Sequence, residues 1–279
     1  MRDIIVYQGE PGAYSHLACS QFYPEYEARA CQSFAKAFEA VRSGTASLAM
    51  IPVENTVAGR VSDIYHLLPG GGLSIVGERY LPIHHQLLGV KGAVLSDIKT
   101  ARSHHMALAQ VRNFLTQHDI DPFVDVDTAG AARKVAELRD KTVAAVASKL
   151  SAESYGLDIL VPDIQDADHN TTRFIVLSAT ADMPDVQTPS VSSFVFKVRS
   201  VPSALYKALG GFASNGLNLT KLESYMVGGS FKAAQFYADV EGHIESPAMK
   251  NALEELAFFS ESITHLGTYP MDEIRHAKA

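Results

Sequence analysis

Through the first 180 positions, short apolar runs alternate with segments whose apolar residues recur every three or four places, the pattern of an α/β layer architecture. Strands are predicted at Ile4–Tyr7, Leu48–Val53, Leu73–Val76, Gln86–Val90, Thr142–Ala147 and Phe174–Leu177. A helix is predicted after Ser33, a suitable N-cap, because Phe34, Ala37, Phe38 and Val41 fall at i, i+3, i+4 and i+7, and it should end near Gly44. Two further helices are predicted at Met106–Gln117 and Ala129–Leu138, the latter opened by Asp127-Thr128.

From Ala179 to Ser190 there is no periodicity and there are two prolines, which predicts a linker. The chain then divides into a first domain at 1–180, a linker at 181–190 and a second domain at 191–279. In the second, residues 191–199 alternate as a strand, and Leu205, Ala208, Leu209 and Phe212 mark a helix face that stops before Gly216. Two strands split by Gly228-Gly229 follow, then a helix using Met249, Leu253, Leu256 and Ala257, then a strand at Ser262–Tyr269. This βαββαβ order is ferredoxin-like. A domain of about 80 residues has a modest core, so pairing with a second copy is expected.

Composition narrows the function. The 279 residues suffice for two cores, and no apolar run approaches the ~18 residues of a membrane span. Met1-Arg2-Asp3 leads straight into an apolar strand without the layout of a secretion signal. Cys19 and Cys31 have neither disulfide-framework nor thiolate-metal spacing, so a reducing, cytoplasmic setting is expected. Net charge is −7 with basic residues scattered, which argues against a nucleic-acid surface. An anionic substrate would need local donors, meaning arginines and helix N-termini.

Three loops carry candidate chemistry, each with a plainer alternative. Gln8-Gly9-Glu10-Pro11-Gly12-Ala13-Tyr14-Ser15-His16 joins a strand to a helix, where backbone N–H groups could hold an anion or merely make a turn. Glu54-Asn55-Thr56 sets an acid, an amide and a hydroxyl at the end of a buried strand, where they could face a ligand or cap a helix. Asn170, Thr172 and Arg173, before another apolar strand, join a hydroxyl to a guanidinium able to grip a carboxylate, or form an ordinary polar turn. The pairs His84-His85 and His104-His105 suggest a metal, but adjacent strand residues point to opposite faces, so no metal site is expected.

The set Gly9 to His16, Ile51 to Thr56, Ser103-His104, Asp127 to Ala132, Tyr155-Gly156-Leu157 and Asn170-x-Thr172-Arg173-Phe174, in that order, resembles the prephenate dehydratase family. Residues Ala204 to Leu209, Leu219 to Ser224 and Leu266 to Pro270 resemble that family's regulatory ACT domain. The resemblance implies a catalytic part of two α/β lobes, like a periplasmic-type binding protein, with the active site between them and no cofactor. It implies prephenate as substrate, Thr172 as the central catalytic residue, and Asn55, Thr56 and Glu54 beside it. Substrate contacts are expected from Arg173, Phe174, Ser15, Asn170, His104 and Thr128. The ACT resemblance implies L-phenylalanine as effector at Ser203, Ala204, Leu205, Glu223 and Ser224, in a homodimer or homotetramer.

The sequence departs from the family pattern in places. Ser203-Ala204-Leu205 stands where Gly-Ala-Leu is usual, Glu223-Ser224-Tyr225-Met226 where Glu-Ser-Arg-Pro is usual, and His105 replaces a proline. These changes would alter phenylalanine feedback. The rival readings are an arogenate dehydratase and a catalytically silent two-lobed sensor; the full Asn170-x-Thr172-Arg173-Phe174 set argues against the sensor.

Overall fold

The structure, a computed structural model, describes residues 3–61, 64–199, 201–226 and 233–276. Contacts divide the chain into two units: Met1–Ala40, Thr45–Val61 and Arg79–Phe174 form the first, and Val41–Gly44, Ser62–Glu78 and Ile175–Ala279 the second. The second unit thus takes in Ser62–Glu78 from the middle of the first 180 residues, a grouping that no single linear boundary expresses.

The elements run β1 (Ile4–Gln8), α1 (Tyr14–Phe22), β2 (Glu27–Cys31), α2 (Phe34–Arg42), β3 (Leu48–Asn55), β4 (Gly59–Arg60), α3 (Ile64–Leu67), β5 (Ser74–Pro82) and β6 (Gln86–Gly89). Next come β7 (Thr100–His104), α4 (His105–Ala109), α5 (Arg112–Gln117), β8 (Asp121–Asp125), α6 (Thr128–Leu138), β9 (Val143–Ala147), α7 (Lys149–Tyr155), β10 (Asp158–Val161) and β11 (Thr171–Ser178). The chain continues with β12 (Ser190–Val198), α8 (Ala204–Ser214), β13 (Leu219–Met226), β14 (Ala233–Glu241), α9 (Pro247–Phe259), β15 (Ser260–Pro270) and α10 (Glu273–His276).

One sheet has the order β2-β1-β3-β11-β5, with β4 pairing to β3, and a second has the order β10-β6-β9-β7-β8. The continuous apolar runs of β1, β3 and β9 are buried on both faces, as strands between helical layers must be. Strand β1 pairs in parallel with β2 and β3, so the loops after β1 and β3 leave the sheet at the same end. Ser33 Oγ accepts the Lys36 N–H over 3.2 Å, capping α2, whose Ala37, Phe38 and Val41 are buried. In α6 the face Ala129, Ala131, Ala132 and Val135 is buried, and Asp127 caps the helix by accepting Gly130 N–H at 2.7 Å.

The expected helix Met106–Gln117 is in fact two, broken at Gln110 and Val111. The break is held by tertiary bonds: Asp166 N–H donates to the Gln110 carbonyl at 2.7 Å, and Asn113 N–H donates to Asp166 Oδ2 at 3.2 Å. Strand β5 is longer than the predicted Leu73–Val76, and the short strands β2, β4, β8 and β10 were not predicted.

The second unit contains an antiparallel sheet of order β13-β14-β12-β15, with connectivity βαββαβ. Phe194, Phe196, Phe236, Ala238 and Val240 on the sheet meet Ala208, Phe212, Met249, Ala252 and Leu256 of the two helices in one core. Ser246 caps α9 with Pro247 at its first position. Gly267 has no room for a side chain, because a Cβ there would collide with the Ile75 backbone. The predicted Gly228-Gly229 hairpin lies outside the described residues. No helix among the described residues is long and apolar enough to cross a membrane.

Candidate active site

The C-terminal end of β3 and the N-terminal end of β11 bring Asn55, Asn170 and Thr172 together. Asn55 Oδ1 accepts the backbone N–H groups of Val57 and Ala58 at 2.9 and 2.7 Å, so the tight turn after β3 decides which way the amide points. Its Nδ2 then faces the other strand and donates to Asn170 Oδ1 at 2.7 Å and to Thr172 Oγ1 at 2.9 Å. Both hydrogens and both lone pairs of the amide are used. Since Thr172 Oγ1 accepts this bond, its own hydrogen is available for something else.

The network goes on. Asn170 is 3% exposed, and its Nδ2 donates to Gln110 Oε1 at 3.0 Å. Thr56 is a clasp: its hydroxyl donates to the His169 carbonyl at 2.7 Å and accepts Thr171 N–H at 2.9 Å, and its own N–H donates to the Thr171 carbonyl. The N–H groups of Thr56, Val57 and Ala58 are thus spent inside the protein and are not open to a substrate carboxylate.

Alternation along the strands separates the neighbours of these residues. Arg173 is 2% exposed and its Nη1 donates to Glu54 Oε1 at 3.3 Å, on the side of the strands opposite the Asn55–Thr172 contact. The guanidinium expected at the substrate is instead the partner of Glu54. Phe174, expected to contact the substrate, is 1% exposed and sits in the core.

The loop after β1 is fastened to α6 and α7. Gly12 adopts φ +89, and a Cβ there would strike Ser151; its carbonyl accepts the Ser148 and Ser151 hydroxyls at 2.5 and 2.9 Å. Arg133 Nε and Nη2 donate to Glu10 at 2.7 and 3.2 Å, and these bonds hold the Glu10 carboxyl below its ordinary range. Docked in this way, the loop leads into α1, whose N-cap is Ala13 and whose first turn therefore has no side-chain cap. Ser15, 8% exposed, lies in that turn. Thr128 opens α6, and His104 caps α4 by accepting Met106 N–H at 3.4 Å. Burial, then the neighbouring His105, pushes the His104 imidazole below its usual value.

Sequence reasoning missed Gln110, named Tyr14 only as part of its loop, and weighed His85 only as a metal ligand. His85 Nε2 lies 2.7 Å from Gln110 Oε1, and its Nδ1 2.7 Å from the Tyr14 hydroxyl. Ile83, His85 and Leu87 are buried, but so are Gln86 and Leu88, and His85 lies between β5 and β6, so alternation did not single it out. Gln110 was hidden by the helix break. A cavity of about 430 Å³ includes His84, Gln86, Lys149 and Asp163 in its wall, but Asn55, Asn170 and Thr172 do not line it. No cluster of three or more potential metal ligands occurs among the described residues.

In the second unit, Ser203 precedes α8 in a left-handed conformation, φ +61, and makes no side-chain capping bond. Ala204 is buried, Leu205 packs partly on the core, and Ser224 is exposed on β13. Glu223 lies 3.4 Å from Lys221 Nζ.

Comparison with known proteins agrees with the resemblance seen in the motifs. The family model for prephenate dehydratase matches residues 5–182. The chain is 50% identical, over 98% of its length and 97% of the relative's, to the bifunctional N-acyl-homoserine lactone acylase/prephenate dehydratase of Komagataeibacter europaeus. It is 39% identical to arogenate dehydratase/prephenate dehydratase 1, chloroplastic, of Arabidopsis thaliana, over 97% of this chain and 73% of that one. Among solved structures, prephenate dehydratase from Arthrobacter aurescens in complex with L-Phe superposes with a TM-score of 0.89 at 30% identity, covering 97% of this chain and 90% of the other.

Proposed function

The chain belongs to the prephenate dehydratase family of carbon–oxygen lyases, and from that premise we propose that it converts prephenate to phenylpyruvate, with the Thr172 hydroxyl meeting the departing oxygen. In this reaction the ring carboxylate leaves as carbon dioxide and its bonding electrons move through the cyclohexadiene. The C–O bond at the opposite ring carbon breaks, and the released hydroxide takes up one proton to become water. The stoichiometry consumes a proton and no electrons, so it calls for no redox cofactor. Aromatisation supplies the drive.

The observation that carries the reading is the direction of the Asn55–Thr172 bond. With Oγ1 accepting from Asn55, the Thr172 hydrogen is left to bond the leaving oxygen as negative charge builds there. A threonine hydroxyl is too weak an acid for full transfer at neutral pH, so it acts by stabilising charge. For the substrate carboxylates, the free N–H groups in the first turn of α1 near Ser15 are the donors this reading assigns.

Arogenate carries an amine where prephenate carries a keto group, and the Arabidopsis relative bears both names. The test is a competition assay with purified protein: faster formation of phenylpyruvate from prephenate is expected, and a strong rate preference for arogenate would move the assignment to that substrate. Hydrolysis of N-acyl-homoserine lactones is a second reading, supported by the 50% identity to the Komagataeibacter europaeus protein, and release of fatty acid from such a lactone tests it.

The βαββαβ portion is read as an ACT-type regulatory domain that takes L-phenylalanine between two copies of the chain, at Ser203, Ala204, Leu205, Glu223 and Ser224. The L-Phe complex of the Arthrobacter aurescens relative supports this. Turnover and oligomer size with and without L-phenylalanine test it; identical values at saturating ligand would remove the effector.

A further inference from the structure

Beyond Asn170 the hydrogen-bonded network runs through Gln110 to His85 and Tyr14, none of which has a part in the reaction as described so far. His85 is 2% exposed, its backbone held by Gln165 Oε1 on the N–H at 2.9 Å and by Ile164 N–H on the carbonyl at 2.8 Å. Its ring lies between Gln110 and Tyr14. Which ring nitrogen carries hydrogen follows from the far end of the network. The Val57 and Ala58 N–H groups fix Asn55 Oδ1, so Asn55 offers Nδ2 to Asn170 Oδ1, and Asn170 in turn offers Nδ2 to Gln110 Oε1. Gln110 Oε1 is therefore an acceptor, and the His85 Nε2 that faces it must bear hydrogen. Nδ1 is left to accept from Tyr14, whose single phenolic hydrogen also has the His84 carbonyl within 3.0 Å, farther than Nδ1. Burial, which lowers the imidazole pKa, opposes a second proton on the ring.

We propose that His85, held by Tyr14 as the Nε2–H tautomer, is a positioning residue of the reaction: it fixes Gln110 and through it Asn170 and Asn55, and so sets the direction of the Thr172 hydroxyl. This rests on the dehydratase reading of the same site. A residue that merely filled space would be replaceable by any side chain of similar volume. A positioning residue requires a hydrogen at the Nε2 place.

The two amide substitutions separate these cases. In His85→Gln the amide nitrogen falls near where Nε2 stood and can still donate to Gln110; in His85→Asn the amide sits near Nδ1 and cannot reach. Steady-state kinetics on prephenate are expected to show kcat reduced ~10-fold or more in His85→Asn with KM within ~2-fold, and reduced ~3-fold or less in His85→Gln. An active parent whose two variants lose alike overturns this proposal alone, whereas a parent that dehydrates neither prephenate nor arogenate overturns the dehydratase reading and this proposal with it. Nitrogen NMR on histidine-labelled protein gives a readout independent of turnover, with the His85 signals identified by their loss in His85→Gln. The Nε2–H pattern at neutral pH is expected, with Nδ1 shifting in Tyr14→Phe; an Nδ1–H or doubly protonated ring overturns the proposal.

Discussion

Asn55 Nδ2 donates to Thr172 Oγ1 over 2.9 Å, and the direction of that bond, set by the turn at Val57 and Ala58, leaves the threonine hydrogen free. Asn55→Asp tests this directly. A carboxylate can only accept, so Thr172 would donate to it and lose the hydrogen offered to the leaving oxygen. A fall in kcat of ~100-fold is expected, about 3 kcal/mol, with the circular dichroism spectrum unchanged. A variant that kept most of its activity would show that the direction of this bond is immaterial.

Glu78 tests the stability of the second unit. Its carboxylate, 0% exposed, takes Arg275 Nε and Nη2 at 2.6 and 3.0 Å and the Asp272 N–H at 3.3 Å, and Arg275 Nη1 goes on to Thr220 Oγ1 at 2.9 Å. Glu78→Gln takes the carboxylate charge away from a largely buried guanidinium, at a cost of about 3 kcal/mol in urea unfolding. The double variant Glu78→Gln, Arg275→Met should lose less than the sum of the singles.

Ser203 gives the opposite sign. Ser203 stands where the family pattern has glycine, and the structure supplies a backbone reason for glycine there. At φ +61 a serine bears a Cβ cost that glycine does not. Ser203→Gly is expected to stabilise the protein by up to about 1 kcal/mol in denaturant unfolding, the gain being reduced by the freer unfolded chain.

Asp125 carries a pH dependence. Burial alone would raise its carboxyl, but hydrogen bonds from Arg102 at 2.8 and 3.3 Å and from Lys134 at 2.5 Å outweigh it, and its pKa lies below the ordinary 3.8. A carboxylate depressed on folding contributes stability above its unfolded value and loses it as pH falls through the folded one. Asp125→Asn should therefore be less stable than the parent at neutral pH, by roughly 2 kcal/mol, with the gap closing below about pH 4. Thermal unfolding across that range checks the sign.

Much of this arrangement could be read from residue order, and the failures have identifiable causes. Apolar runs such as Ile4–Tyr7 and Leu48–Val53 stand out because both faces of the strand are buried. Strands β2, β8 and β10 escape because each lies at the edge of a sheet and is at least half exposed, so its conformation comes from pairing with a neighbour rather than from its own pattern. At the site, Asn55, Asn170 and Thr172 were named from their motifs, but their directions were not. Strand alternation could have warned that Thr172 and Arg173 would part company. Gln110 depends on a helix break enforced by Asp166, more than fifty residues away along the chain, and no local pattern encodes that.

The measurement that bears most directly on the account is the rate of phenylpyruvate formation from prephenate by the parent and by Thr172→Ser and Thr172→Ala, each confirmed as folded. Activity in the parent, retained within ~10-fold by serine and lowered at least ~100-fold by alanine, is the expected result, since serine keeps the hydroxyl that Asn55 orients. An alanine variant as active as the parent would contradict the role given to Thr172, and an inactive parent would contradict the reaction itself.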